Sequence, residues 1–102
     1  MCDGNVHRSP TAQELLIGIK GLEVRSAGIL PLSPTVISKQ LIDWANTIFV
    51  MEKPQKEAIL RISPEAESKI TVLDIPDIYL RRNDPELIKK LKDRLFPYFG
   101  KI

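Results

Sequence analysis

Five residues separate Cys2 from Arg8 in the segment Cys2-Asp3-Gly4-Asn5-Val6-His7-Arg8-Ser9-Pro10, and these residue types could do chemistry together. Ser9-Pro10 reads as an N-cap followed by Pro at the first helical position, so the segment runs directly into a helix start. A helix start presents unpaired backbone N–H groups and a partial positive charge, which suit an anion. Gly4 permits backbone conformations closed to other residues and Asn5 tolerates the left-handed region, so the loop can wrap into a phosphate-sized cup with N–H groups pointing inward. Arg8 can grip two phosphate oxygens with its planar fork, which Lys could not reproduce. Convergent N–H groups, the helix start and Arg8 all favour the thiolate of Cys2 at the floor of the cup. The chemistry this implies is attack by sulfur on bound phosphorus.

The elements that must position the loop alternate along the chain. Ala12, Leu15, Leu16 and Ile19 recur at helical spacing after Ser9-Pro10, and Gly21 ends that helix. Leu22 to Arg25 favours a strand closed by Ser26-Ala27-Gly28. Ser33-Pro34 opens a second helix with Ile37, Leu41, Trp44 and Ala45 inward, so Trp44 is expected in the core. Thr47 to Met51 reads as a buried strand, Pro54 starts a third helix with Ile59 and Leu60 inside, and Lys69 to Leu73 is a further strand rich in β-branched residues. Asp84-Pro85 caps a last helix with the stripe Ile88, Leu91, Leu95 and Phe99. Strands separated by helices imply right-handed crossovers and a parallel sheet covered on both faces, with ligands bound beyond the strands' carboxyl ends. The fold class is α/β.

The 102 residues are expected to form a single domain, 1–102, whose core closes without disulfide or metal. One Cys excludes an internal disulfide and a Cys-rich zinc site, and points to a reducing cytoplasm. Fifteen basic and thirteen acidic side chains give a net charge of +2, too small and too interspersed for a nucleic-acid surface. Runs such as Ile48-Phe49-Val50-Met51 are far short of the roughly 20 residues that span a bilayer.

The Cys-x5-Arg-Ser pattern with its internal Gly-Asn resembles the phosphate-binding loop of the low-molecular-weight protein tyrosine phosphatases, as does Ser-Pro before a helix. Val24-Arg25-Ser26-Ala27-Gly28, Ile48-Phe49-Val50-Met51 and Leu73-Asp74-Ile75-Pro76-Asp77-Ile78-Tyr79 are similar to further stretches of that family, in the same order. The resemblance implies a three-layer fold with a parallel four-stranded sheet flanked by helices. It implies hydrolysis of phosphotyrosine protein or a small aryl phosphate through a phosphocysteine on Cys2, without metal or other cofactor. Arg8 and the loop amides of Asp3, Gly4, Asn5, Val6, His7, Arg8 and Ser9 would bind the phosphate oxygens. Ser9 would donate to the sulfur, and Asn5 would brace the loop with Ser26 as partner. Asp77 would protonate the departing phenolate and then deprotonate water, and Tyr79 would wall the slot for an aromatic ring.

Plainer roles stand beside these. A lone Cys is commonly a small buried hydrophobe, Ser9 can be a helix cap, His7 faces solvent or packs, and Arg81 and Arg82 are a solvated pair. Asp74 and Asp84 lie close to Asp77, and Asp84 is better explained as the cap of the last helix. The family's nucleophile ends an apolar first strand, whereas only Met1 precedes Cys2 here. Three or four inward side chains of such a strand would contribute about 5 to 10 kcal/mol. The expectation is therefore that the natural product starts upstream, or that the sheet reorganises by pairing with another chain. Other departures are His7 where many members carry a second Cys, Asp3 after the nucleophile, and Ile78 where Pro is usual. The competing functions are a catalytically silent phosphate-binding module, an arsenate-reductase-like enzyme (which in its thioredoxin-linked type needs two further cysteines), a phosphocarrier, and an N-terminal Cys nucleophile.

Overall fold

A computed structural model describes residues 1, 2, 4, 8–19, 21–76, 78 and 82–100, and for residues 8 and 9 the backbone alone. Two short runs of β-branched and aromatic residues form its paired strands, β1 (Ile48–Val50) and β2 (Ile70–Val72). They pair in parallel with Ile48 opposite Ile70 and Val50 opposite Val72. The ladder continues where Leu73 N–H donates to the Val50 carbonyl at 2.8 Å. A parallel pair needs a crossover. It is supplied by α3 (Lys53–Ile62) and a 3-10 helix (Pro64–Lys69).

Side chains alternate across β1, as strand geometry requires. Ile48 and Val50 join Ile42, Ile59 and Ala66 in one buried cluster, whereas Phe49 packs against the other, built on Cys2, Ala12, Leu16, Met51, Leu73, Ile75, Leu87, Leu91 and Leu95. The second cluster is supplied largely by α1 (Arg8–Leu16) and α4 (Pro85–Phe99), and the first by α3, the 3-10 helix and α2 (Lys39–Trp44). The sheet therefore lies between two helical layers, the α/β class and layering expected from the sequence.

Beyond β1 the sheet is carried by single residues. Cys2 bridges Gly28 and Gly28 bridges Val36, both in parallel. Among the described residues this gives a two-strand ladder extended by bridges, in place of four full strands. Residues 22–27 run between α1 and Gly28 without joining a ladder.

Helix boundaries depart from the sequence reading for local reasons. α1 opens at Arg8, so Ser9 lies inside its first turn, and it ends at Leu16. α2 opens after Ser38, not after Ser33. Gly28 N–H donates to the Thr35 carbonyl and Ile37 N–H to the Gly28 carbonyl, both at 2.8 Å. Residues 35–37 are thus committed to the bridge, and the helix waits for Ser38, whose hydroxyl accepts from Leu41 N–H at 3.3 Å. The later start puts Ile42 in the core and leaves Trp44 37% exposed, correcting its assignment as a core residue. The Arg25 guanidinium instead sits 4.3 Å from the centre of the Trp44 ring. Lys69 closes the other end of α2, its ammonium donating to the carbonyls of Ile42 (2.5 Å) and Ala45 (2.9 Å). In α4, capped by Asp84, the fully buried stripe is Leu87, Leu91 and Leu95, with Ile88 only half-buried.

Candidate active site

Cys2 is 3% exposed and is held from both sides by backbone. The Met1 ammonium donates to the Phe49 carbonyl at 2.6 Å, and Met51 N–H donates to the Met1 carbonyl at 2.9 Å. Cys2 N–H donates to the Ala27 carbonyl at 3.4 Å. Met1 and Cys2 thus form a rung between β1 and Gly28, and the chain passes from this rung through Gly4 to α1. Cys2 is not in a disulfide, and its side chain packs in the cluster supplied by Ala12 and Leu16 of α1 and by α4.

The backbone of Arg8 and Ser9 forms the first turn of α1 and Gly4 is half-buried. Asp3, Asn5, Val6 and His7 lie outside the described residues, as do Asp77, Tyr79 and Arg81. The Ser26 hydroxyl, expected to partner Asn5, donates to Oε1 of Gln13 at 2.6 Å. This bond ties the stretch before Gly28 to α1. Gln13 went unnoticed in the sequence; its one signal is an amide set between the apolar positions Ala12 and Leu15.

The segment that carries Asp77 is anchored at each end. On its near side Leu73 and Ile75 are buried in the cluster that holds Cys2, and Ile75 N–H donates to the Met51 carbonyl at 2.7 Å. Between them Asp74 is exposed with φ 60°, a left-handed conformation that Asp tolerates better than most residues. On its far side Asn83, at φ 61°, donates its backbone N–H to Oγ1 of the fully buried Thr11 at 3.0 Å. Arg82 pairs with Glu14 of α1 at 3.3 Å. Thr11 is a second positioning residue that sequence reasoning missed, its signal being a hydroxyl on the buried face of α1. Asp84 Oδ1 accepts from Glu86 N–H at 2.9 Å, the capping role the sequence suggested. Among the described residues no group of three or more His, Cys, Asp or Glu could hold a metal ion, and no helix is long and apolar enough to cross a membrane.

No family model matches the chain. Its structure superposes on the tyrosine phosphatase Wzb from Escherichia coli K30 in complex with phosphate, with a TM-score of 0.77, 26% identity, and coverage of 91% of this chain and 88% of that one. It also superposes on the YwlE arginine phosphatase from Geobacillus stearothermophilus, with a TM-score of 0.68, 28% identity, and coverage of 92% and 86%. The Vibrio vulnificus Wzb in complex with benzylphosphonate shares the fold at 23% identity and a TM-score of 0.75, over 95% of this chain and 92% of that one. The chain thus shares its overall fold with proteins named as tyrosine and arginine phosphatases. In sequence, a protein-arginine-phosphatase of Geobacillus stearothermophilus is 30% identical over 97 residues, covering 72% of this chain. The chain spans 66% of that relative's length. The chain belongs to the low-molecular-weight protein tyrosine phosphatase family.

Proposed function

We propose that this chain is a metal-independent phosphatase that hydrolyses phosphomonoesters, with phosphotyrosine or another aryl phosphate as substrate. The observation that carries this reading is the station of Cys2. The residue is buried on the central rung of the sheet, just ahead of the loop that enters α1, and shares a cluster with the two residues leading to Asp77. The Cys2 thiolate attacks phosphorus, and the S–P bond forms as the P–O bond to the aryl group breaks. Arg8 and the N–H groups of the loop hold the three equatorial oxygens, and Ser9 donates to the sulfur. Asp77 gives its proton to the leaving phenolate. As a carboxylate it then takes a proton from water, whose oxygen attacks phosphorus and releases phosphate and the thiolate. The Ile75 and Asn83 anchors support Asp77 as the acid, while Asp84 is engaged as a helix cap. Tyr79 lines the slot for the ring.

The 30% identity to a protein-arginine-phosphatase favours phosphoarginine as a second reading of the substrate. The nucleophile and acid are then the same, with a guanidine leaving in place of the phenolate.

Turnover of an aryl phosphate by the parent chain, Cys2→Ser and Asp77→Asn tests the reading. Cys2→Ser gives none, and Asp77→Asn is slowed by about 10²–10⁴-fold, the usual contribution of a general acid. Equal rates in all three overturn the proposal, and phosphate binding without turnover by the parent leaves the silent module. Phosphotyrosine and phosphoarginine peptides assayed side by side separate the two substrates.

A further inference from the structure

Thr11 stands early in α1, just after Arg8, Ser9 and Pro10, and is fully buried. A hydroxyl at a position closed to water costs stability unless it is hydrogen-bonded, and Val, of the same shape, would fill the space without that cost. The bond Thr11 makes spans 72 positions of the chain: its Oγ1 accepts from Asn83 N–H at 3.0 Å. Asn83 is where the chain leaves the segment of Asp77. It is left-handed at φ 61°, and Asp84 beside it caps α4. The segment enters at Ile75, whose N–H donates to the Met51 carbonyl at 2.7 Å. Residues 76–82 are therefore strung between two bonded backbone N–H groups, one tied to the residue after β1 and the other to a side chain of α1. The Arg82–Glu14 pair crosses the same gap at 3.3 Å, but both side chains are about half exposed and such a pair holds little. α4 keeps its place without Thr11, because Leu87, Leu91 and Leu95 are fully buried in one cluster with Ala12 and Leu16.

We propose that the Thr11 hydroxyl is a positioning group for the acid: by fixing Asn83 it fixes the exit of the Asp77 segment against α1, the helix whose first turn carries the backbone of Arg8 and Ser9. One helix then sets the reach between the bound phosphate and the proton donor. The step it serves is transfer of the Asp77 proton to the leaving oxygen, as the P–O bond breaks and the S–P bond forms. Such a transfer needs the two heavy atoms within about 2.6–3.2 Å, and a misplacement of about 1 Å can cost roughly 10²-fold in rate. Binding of phosphate and attack by sulfur draw on the loop before α1, at the other end of the first turn. Loss of the hydroxyl therefore falls on substrates whose leaving group must be protonated, and spares those whose leaving group departs as a stable anion. The inference deepens the phosphatase reading and rests on Asp77 as the acid.

Thr11→Val removes the hydroxyl and keeps the shape, and Thr11→Ser keeps the hydroxyl. Each is assayed with phenyl phosphate, whose leaving phenolate is strongly basic, and with 2,4-dinitrophenyl phosphate, whose leaving phenolate is not, in the parent and in the Asp77→Asn background. The quantity read is kcat/KM, which covers events up to departure of the phenolate. Thr11→Val is expected to lose about tenfold on phenyl phosphate and less than about twofold on 2,4-dinitrophenyl phosphate, with inhibition by inorganic phosphate unchanged. Thr11→Ser stays within about threefold of the parent on both, and Thr11→Val costs nothing further in the Asp77→Asn background. Equal losses on the two substrates, Thr11→Ser as slow as Thr11→Val, or a full further loss in the Asp77→Asn background overturns the positioning role and leaves the phosphatase reading standing. Should urea unfolding show Thr11→Val to be unfolded, Thr11→Ala against Thr11→Ser isolates the hydroxyl and carries the same expectations. A parent without turnover, or one that Asp77→Asn leaves unchanged on phenyl phosphate, overturns the assignment of the acid and this inference with it.

Discussion

The two sides of the sheet are built differently. From β1 outward through β2 the strands share a continuous ladder, and α2, α3 and the 3-10 helix close a cluster over Ile48, Val50 and Ile59. From β1 toward Cys2 and Gly28 the sheet is held by single bridges. Cys2 is held in place by the edge of β1, through Met1, together with α1 and α4. The side with the continuous ladder supplies a frame, and the side with Cys2 borrows it through Met1, Phe49 and Met51.

The largest expected effects come from emptying each core. Ile59 and Leu91 are both fully buried, one under each face, and Ile59→Ala and Leu91→Ala should each cost about 2–5 kcal/mol in urea unfolding. Under conditions where both variants remain folded, Leu91→Ala should also lower aryl phosphate turnover, because Leu91 packs in the cluster of Cys2, and Ile59→Ala should leave it unchanged. Equal losses of turnover would mean that the two faces are not separable in the way the bridges suggest.

Hydrogen exchange draws the same line without mutation. The Leu73 amide, bonded to β1 at 2.8 Å, should exchange far more slowly than the Cys2 amide, bonded to Ala27 at 3.4 Å. Similar protection of the two would show that the single bridges are as firm as the ladder.

Legibility followed local pattern rather than side. β1, β2, α3 and α4 announce themselves through local patterns: β-branched runs, Pro54 just inside α3, and Asp84-Pro85 before an apolar stripe. α4 was misjudged only by one position on its face, Ile88 for Leu87. α2 was misread because pairing of residues 35–37 with Gly28 is a contact between segments, which periodicity does not carry. Trp44 followed from that error. At the candidate site the sequence set Cys2 ahead of a helix start, and α1 does open at Arg8; Asp3, Asn5, Val6 and His7 of the loop lie outside the described residues. Gln13 and Thr11, which tie α1 to Ser26 and Asn83, could not be read, since a polar residue on a helix names no distant partner.

A smaller effect separates the two aspartates at the ends of the acid segment. Asp84→Ala removes the cap of α4 and should cost about 1 kcal/mol of stability with turnover preserved, while Asp84→Asn retains most of the cap. Asp77→Asn should do the reverse, lowering turnover at little cost in stability. Thermal unfolding and aryl phosphate hydrolysis on the three variants check the assignment, and loss of turnover in Asp84→Asn at full stability would transfer the acid role to Asp84.

The smallest effect lies wholly on the side with the continuous ladder. The Glu65 carboxylate accepts from the Ser63 hydroxyl at 2.7 Å and from the Lys39 ammonium at 3.2 Å, linking the 3-10 helix to the first turn of α2. The Ser63 hydroxyl first, then the backbone and Lys39, lower its pKa from the ordinary 4.5 to about 2. A pKa lower in the folded state means a contribution to stability that is present above about 4.5 and lost as pH falls through about 2. For Lys39 the shift is upward, caused first by Glu65, so its share is present below 10.5 and lost as pH rises beyond that. Both side chains are solvent-exposed, so the gain is small and salt weakens it. The melting temperatures of the parent and Glu65→Gln should therefore differ slightly near neutral pH at low salt and converge as pH falls from 5 to 2, with Cys2 amide exchange equal in the two at neutral pH. A gap that persists at pH 2 would show that the link acts through packing rather than charge, and altered Cys2 exchange would show that the frame transmits strain across β1.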